Sequence, residues 1–382
     1  MPDLARMNVL GVMSGTSADG VDAVLARLEE HAGSLRWEVL ARHSEDYAPE
    51  LRTRILDAMG PESSDVVGLT QLHAELGEAY ARAVNTVQET HHVDLVAISG
   101  QTVYHIPRLE PARGWRTKST LQLGEASLVT EGCRLPVVSD FRQSDMAAGG
   151  QGAPMVAFGD LKLFAEPGVA RAVHNLGGIS NLSYLPADGD SDGVFAFDTG
   201  PASCLIDEAA ARDFGLDFDR DGALAARGRV DATALERLLA HPYLSQGLPK
   251  TTGREVFTLS EFAADLAGLA GHDLLATLTA FTSESIARAY RDFVLPGGLD
   301  EILVAGGGAH NKALLAGLRA RLTVPVRTFE DMGWRAKDRE ALAFAVMAYY
   351  AHHGLPNTLP RATGARHPVI AGKLSRPWQG DG

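Results

Sequence analysis

The sequence predicts an α/β protein of two duplicated lobes, with mixed sheets flanked by helices and a cleft between the lobes. Three observations carry this. An apolar run at Val9–Met13, a turn of glycine and hydroxyl residues, and a second apolar run at Val21–Leu28 make a hairpin pattern. The same order returns at Ala172–Leu176, Gly177–Asn181 and Leu182–Leu185, an internal duplication visible in architecture and barely in residues. Short apolar runs at Val93–Ile98 and Glu301–Ala305 read as buried strands, the first of them parallel, set among amphipathic helices. The expected division is 1–135 for the first lobe and 136–345 for the second. A helix and tail over 346–382 is expected to pack back toward the first lobe.

Composition narrows the class. The chain has 382 residues, 45% hydrophobic and 22% charged, as an ordinary globular protein of about two domains has. A formal net charge of −13 argues against a nucleic-acid partner. Cys133 and Cys204 lie far apart without metal-ligand spacing, which suits a reducing cytoplasm. The start lacks the long apolar core of a signal peptide, and no apolar stretch is long enough to span a bilayer. A cytoplasmic enzyme is the expectation.

In chain order, Trp37–Arg42 alternates like a third strand. Leu51–Met59 and Leu69–Thr90 are helical, the second with Leu69, Leu72, Leu76, Tyr80 and Val84 at helical spacing. Leu121–Gly132 is expected to be a helix and Leu135–Ser139 a buried strand. Val194–Phe197 is a strand ending at Asp198. Helices are expected near Ala232–Leu239, Leu259–Leu269, Leu274–Phe293, Lys312–Leu322 and Arg339–His352, with a strand at Val324–Arg327.

Four segments carry candidate chemistry. The tip from Gly15 to Asp22 can aim several N–H groups at one anion, because glycine lets the backbone turn and approach closely; otherwise it is a plain polar turn. Ser99-Gly-Gln-Thr102 follows a buried strand, where ligand groups collect in open α/β sheets. Gln101 is therefore a ligand candidate or part of a polar loop. The segment Asp140–Pro154 carries Asp140, Arg142 and Asp145 ahead of three glycines. It reads as a ligand loop at a domain junction that supplies no packed core, or as a linker. Gly306, Gly307 and Gly308 lie between a strand and a helix N-terminus, a platform for a base and ribose. Neither the G-x-G-x-x-G spacing nor a Walker P-loop occurs.

Together, the turns at Gly15–Asp22 and Gly177–Asn181 and the run Gly306–Asn311 resemble the duplicated ATP-clamping fold of sugar kinases, actin and heat-shock chaperones, whose lobes are actin-like and ribonuclease H-like. Longer motifs narrow this. Ser14-Gly-Thr-Ser-x-Asp-Gly-x-Asp22, Asp140-Phe-Arg-x-x-Asp145 with the run to Pro154, Asn175-x-Gly-Gly-x-x-Asn181 and Phe197-Asp-x-Gly-Pro201 are similar to the anhydro-N-acetylmuramic acid kinase family. So are Phe218-Asp-Arg-Asp-Gly222, Thr252-Gly-Arg-Glu255 and Thr363-Gly-Ala365.

The resemblance implies a reaction of ATP, water and an anhydro amino sugar, assisted by Mg²⁺, in a cytoplasmic homodimer. It implies that Asp198 is the general base. It places ATP at Gly15, Thr16, Ser17, Ala18, Asp19, Gly20, Val21, Asp22, Gly177, Gly178, Asn181, Gly306, Gly307, Gly308 and Asn311. The sugar side is expected to use Gln101, Asp140, Arg142, Asp145 and Glu340. Arg142 either pairs a substrate carboxylate or neutralises Asp145, and Glu340 either faces the cleft or is a solvated helix charge. Asp19 either holds the metal through water or makes an Asx-turn. Two departures from the family's pattern, Ser99 in place of His and Ala202-Ser203 in place of Gly-Asn, touch the expected sugar side. Levoglucosan kinase is the nearest rival; an actin-like ATPase and an acyl-phosphate kinase share the fold without the motifs.

Overall fold

A computed structural model describes residues 3–15, 17–60 and 64–378. The chain forms two compact units, Met1–Leu163 with Asp338–Gly382, and Phe164–Lys337.

The first unit opens with β1 (Leu4–Met13), β2 (Gly20–His31) and β3 (Ser34–Asp46), consecutive antiparallel strands. Helices α1 (Pro49–Ala58) and α2 (Val66–Gln88) follow, the second capped by Asp65, whose carboxylate accepts the Gly68 N–H. Strand β4 (Leu95–Ile98) pairs parallel with β1. Strands β5 (Gln101–Ile106) and β6 (Ser119–Leu123) form a separate two-stranded sheet. Then come α3 (Ala126–Cys133), β7 (Val137–Ser139), α4 (Gln143–Ala147) and α5 (Val156–Phe164).

The second unit repeats the plan. Strands β8 (Arg171–Leu176), β9 (Ile179–Leu185) and β10 (Phe195–Pro201) are consecutive and antiparallel. Helices α6 (Cys204–Phe214), α7 (Ala232–Leu239) and α8 (Gly271–Ala289) precede β11 (Glu301–Ala305). Helix α9 (Lys312–Arg321) and β12 (Val326–Thr328) complete it. The chain then returns to the first unit with α10 (Arg339–His352), the short α11 (Pro360–Thr363) and β13 (Lys373–Ser375).

Strand order establishes the duplication. The first sheet runs β13-β7-β4-β1-β2-β3 and the second β10-β9-β8-β11-β12. In both, an antiparallel trio is extended on its first strand by two parallel strands. The sheet of the first unit is covered on both faces. Leu10, Val12, Val21, Ala23 and Leu25 share a core with Leu72, Leu76 and Tyr80 of α2. Gly11 points the other way, at α10; a Cβ there would lie 1.9 Å from the Ala341 carbonyl oxygen, so only glycine lets helix and strand approach this closely.

The structure revises several expectations. Residues 121–132 are not one helix: β6 ends at Leu123, and Gly124 at φ +118 breaks the chain before α3. Residues 259–269 form successive turns, with hydrogen bonds alternating between three- and four-residue spans (Phe262 N–H to Thr258 O, Leu269 N–H to Leu266 O). The segment 140–154 is no linker. It contains α4 and buries Phe141, Met146 and Ala148. The boundary expected at 135/136 falls inside a sheet, because β7 pairs with β4 and β13. Antiparallel β13 pairs with β7 at the edge of the first unit's sheet. Strand β10 continues past Asp198 to Pro201 through an irregularity between Asp198 and Gly200.

Candidate active site

In the first unit, the β1–β2 tip is held from below. Gln101 is fully buried; its Oε1 accepts the Ser14 hydroxyl at 2.5 Å and its Nε2 donates to the Gly15 carbonyl at 3.0 Å. The Tyr47 hydroxyl donates to Ser14 Oγ at 2.8 Å. Gln101 thus positions the tip, leaving the upper side of Gly15, Ser17 and Asp19 partly or wholly exposed. Ala18 takes φ +53 and is buried, its N–H donating to the Gly15 carbonyl at 3.0 Å. Gly20 abuts β3: a Cβ would stand 2.2 Å from the Glu45 carbonyl oxygen. Val21 is core. Asp22 accepts the Ser44 hydroxyl at 2.6 Å. Thr16 lies outside the described residues.

Asp19 is exposed beside this turn, with Arg52 Nη2 at 3.3 Å. Among the described residues no group of three or more His, Cys, Asp or Glu could hold a metal. A divalent ion here would take one carboxylate from the protein and the rest of its ligands from phosphates and water, a donor set that suits Mg²⁺.

The segment 140–154 is a built loop. Asp145 is fully buried; its Oδ2 accepts the Gly152 N–H at 2.8 Å and its Oδ1 the Thr363 hydroxyl at 2.6 Å. Gly150 packs on the same carboxylate, 2.1 Å from where a Cβ would sit. Asp145 therefore shapes the loop and presents no free face. Asp140, at φ +58, forms an ion pair with Lys373 of β13. Arg142 donates to the Gly152 carbonyl at 2.7 Å.

Arg142 and Glu340 act on each other. Burial lowers the Arg142 pKa and the Glu340 charge opposes that. Burial raises Glu340, against the pull of Arg339 and Arg142. Glu340 is only partly exposed, so it is not a solvated helix charge. Its helix is fixed by Gly11 and by the buried pair Arg339–Asp160, in which two guanidinium nitrogens meet the carboxylate at 2.8 and 2.5 Å. Burial and the Arg142 charge push His105 down to about 4, leaving a neutral imidazole beside this group.

In the second unit, the glycine turn and the glycine run meet. Strands β8 and β11 are parallel neighbours, and both glycine segments leave their carboxyl ends. At φ +87, Gly306 abuts Asn175 and Leu176: a Cβ would lie 2.5 Å from Asn175 Oδ1. Nothing lies within 4 Å of a Cβ built on Gly307. Gly308 packs on Leu176, and Asn311 caps α9 by accepting the Leu314 N–H at 2.9 Å. The Gly177 and Gly178 carbonyls accept N–H groups of Ala202, Ser203 and Cys204. Ala202 and Ser203, the departure from the family pattern, thus brace this turn. Asn181 pairs with Asp198 across β9 and β10.

Asp198 is only partly exposed. Its carboxylate accepts the Thr252 N–H at 2.8 Å, its carbonyl accepts the Tyr243 hydroxyl at 2.7 Å and its N–H donates to the Lys250 carbonyl at 3.2 Å. Loss of water raises its pKa to about 6, against the Thr252 N–H and the Lys250 charge. A buried chain anchors the strand beneath it: Thr199 to Ser180 at 2.6 Å, Ser180 to His174 at 2.6 Å, His174 to Tyr290 at 2.8 Å. A carboxylate titrating near neutrality suits a general base. The sequence assigns no role to Lys250, Tyr243 or Thr252; the one signal among them is Thr252, in the motif Thr252-Gly-Arg-Glu255.

Two lobes of one topology, each opening on a glycine hairpin tip, with a desolvated aspartate on the second, define a phosphotransferase of the duplicated-lobe type. A family model described as anhydro-N-acetylmuramic acid kinase matches residues 7–376. An anhydro-N-acetylmuramic acid kinase from Caldanaerobacter subterraneus subsp. tengcongensis is 38% identical over 382 residues, 96% of each chain. One from Bacillus thuringiensis subsp. konkukian is 37% identical, over 97% of this chain and 100% of that one. The chain belongs to the anhydro-N-acetylmuramic acid kinase family. Among solved structures it is similar to a ROK family glucokinase from Streptomyces griseus in complex with glucose and AMPPNP, with a TM-score of 0.39, 16% identity and coverage of 89% of this chain and 97% of that one.

Proposed function

We infer that the chain is an ATP-dependent kinase that opens the 1,6-anhydro ring of 1,6-anhydro-N-acetylmuramic acid with water and phosphorylates O6. The products are N-acetylmuramic acid 6-phosphate and ADP, in the recycling of peptidoglycan. The observation that carries this, within the family, is the clamped and desolvated carboxylate of Asp198.

The chemistry follows from the substrate. An anhydro sugar has no free O6. Water must attack C1 while the C1–O6 bond breaks, and Asp198 takes the proton from that water. The electrons of the broken bond go to O6, which attacks the γ-phosphorus as ADP leaves. Phosphoryl transfer needs alignment and charge neutralisation more than covalent help. The N–H groups of the tip Gly15–Asp22 and of the turn Gly177–Gly178 are assigned to the phosphates, and Gly306–Gly308 to the adenosine. Arg142 and Glu340 are assigned to the sugar, with Gln101, Asp140 and Asp145 supporting from below. Mg²⁺, held at Asp19, would supply charge neutralisation at the phosphates. A homodimer in the cytoplasm completes the proposal. No helix among the described residues is long and apolar enough to cross a membrane.

Mass analysis of the product from purified protein, ATP, Mg²⁺ and anhydro-N-acetylmuramic acid tests this. The substrate must gain phosphoryl and water together. Faster turnover of levoglucosan than of the amino sugar would move the substrate assignment to the rival kinase. ATP hydrolysis without any phosphosugar would discard the kinase.

A further inference from the structure

Lys250 is 2% exposed, a place where an ammonium group needs compensation. Its Nζ lies 5.0 Å from the ring centroid of Tyr243, 5.1 Å from that of Phe293 and 5.9 Å from that of Phe197. Three rings around one cation form a cage that favours the charge. The charged groups that act on it are Arg288 of α8, Asp292 just beyond that helix, and Asp198 of β10. In return, Lys250 is the charged group that acts on Asp198.

The cage and the base share parts. Phe197 precedes Asp198 on β10. Tyr243, another wall, donates its hydroxyl to the Asp198 carbonyl at 2.7 Å. The Lys250 carbonyl accepts the Asp198 N–H at 3.2 Å, and two residues on, Thr252 donates to the Asp198 carboxylate at 2.8 Å. Backbone 250–252 therefore grips Asp198 at both its main chain and its carboxylate, and the caged side chain fixes where that backbone runs.

We propose that Lys250 is a positioning residue for Asp198: its caged ammonium locks the backbone that clamps the aspartate and supplies the positive charge that keeps the carboxylate ionised out of water. The proposal rests on Asp198 being the base. A methionine would fill the same space and remove the charge; an arginine would keep the charge in the cage. A lysine that only packed the core would change the melting temperature and leave the titration of Asp198 alone.

The test is a ¹³C NMR titration of the Asp198 carboxyl in the full-length wild type, Lys250→Met and Lys250→Arg, alongside kcat against pH. Removing a neighbouring cation favours the neutral acid. The Lys250→Met midpoint should therefore rise by roughly 0.5–1 pH unit, with the acid limb of kcat moving the same way. Its kcat should fall by about 10- to 100-fold while KM for ATP holds. Lys250→Arg should return the midpoint toward the wild type. Should Lys250→Met fail to fold, Phe293→Leu, which opens one wall of the cage, is read in the same way with a smaller shift. An Asp198 midpoint unmoved in the folded variant overturns the proposal. The titration needs no sugar, so a wild type that makes no phosphosugar would sink the kinase assignment and leave this result readable.

Discussion

The hydroxyl of Thr363 donates to Asp145 Oδ1 at 2.6 Å, joining residues 218 positions apart. Thr363 also offers its carbonyl to the Gln151 N–H at 2.8 Å. The loop of glycines is thus hung from the short helix near the end of the chain. Thr363→Val keeps the volume and leaves one oxygen of a buried carboxylate without its donor. We expect a loss of about 1–3 kcal/mol in urea unfolding and a rise in KM for the sugar with KM for ATP unchanged. An unchanged sugar KM would remove the loop from the sugar side.

As the proposed base, Asp198 must be ionised to accept a proton. With its pKa raised to about 6, kcat/KM should fall as pH drops through about 6 and level off above it. Asp198→Asn should abolish product formation while ATP still binds. It should also be more stable than the wild type at neutral pH. A folded pKa above the unfolded one means the fold favours the protonated acid, so the wild type's relative stability is greatest at low pH. It declines as pH rises through about 6. Calorimetry at pH 7.5 should show a gain of roughly 2–4 °C for the amide. A lower melting point in the variant would contradict this sign.

Gly11 sets the seat of α10. Gly11→Ala places a methyl against the Ala341 carbonyl, a backbone atom that cannot swing aside. The helix must shift, at a cost of about 1–3 kcal/mol by overpacking, and Glu340 shifts with it. Activity should fall in parallel. Chemical denaturation and sugar KM measured on one preparation would show whether the two losses travel together.

Glu340→Gln removes the carboxylate that offsets Arg142. Turnover should drop by about 10- to 100-fold, with ATP affinity retained, if these two groups hold the sugar in register. Isothermal titration with a non-hydrolysable nucleotide checks the second half of that statement.

Asp19→Asn should raise the Mg²⁺ concentration for half-maximal rate by about tenfold, since Asp19 is the exposed carboxylate of the tip while Asp22 accepts the Ser44 hydroxyl. A Mg²⁺ curve that superimposes on the wild type would return Asp19 to its pairing with Arg52.

Much of the fold was legible because its signals are local. The hairpin runs, the apolar strands β4 and β11, and the periodic α2, α7 and α10 follow from alternation and helical spacing. The small sheet of β5 and β6 was not legible. Its two strands pair only with each other, and apolar Leu121 and Leu123 also fit a helix. The site divided along the same line. Motif residues could be found, but their duties depend on partners distant in sequence. Gln101 and Asp145 read as ligand groups and turn out to face inward, on Ser14 and on Thr363. Glu340 reads as a surface charge until α10 is seen lying on β1. Lys250 sits in a polar stretch, and nothing nearby in sequence foretells three aromatic walls gathered from Phe197, Tyr243 and Phe293.

Strand β13 joins, and helix α10 covers, a sheet whose other strands all precede Asp140 in the chain. During synthesis, then, the opening hairpin emerges from the ribosome long before the pieces that cover and border it. The second lobe, one uninterrupted stretch from Phe164 to Lys337, can mature first. A chain released at Lys337 should carry a finished C-proximal lobe and a waiting N-terminal one, the reverse of the usual order of ripening.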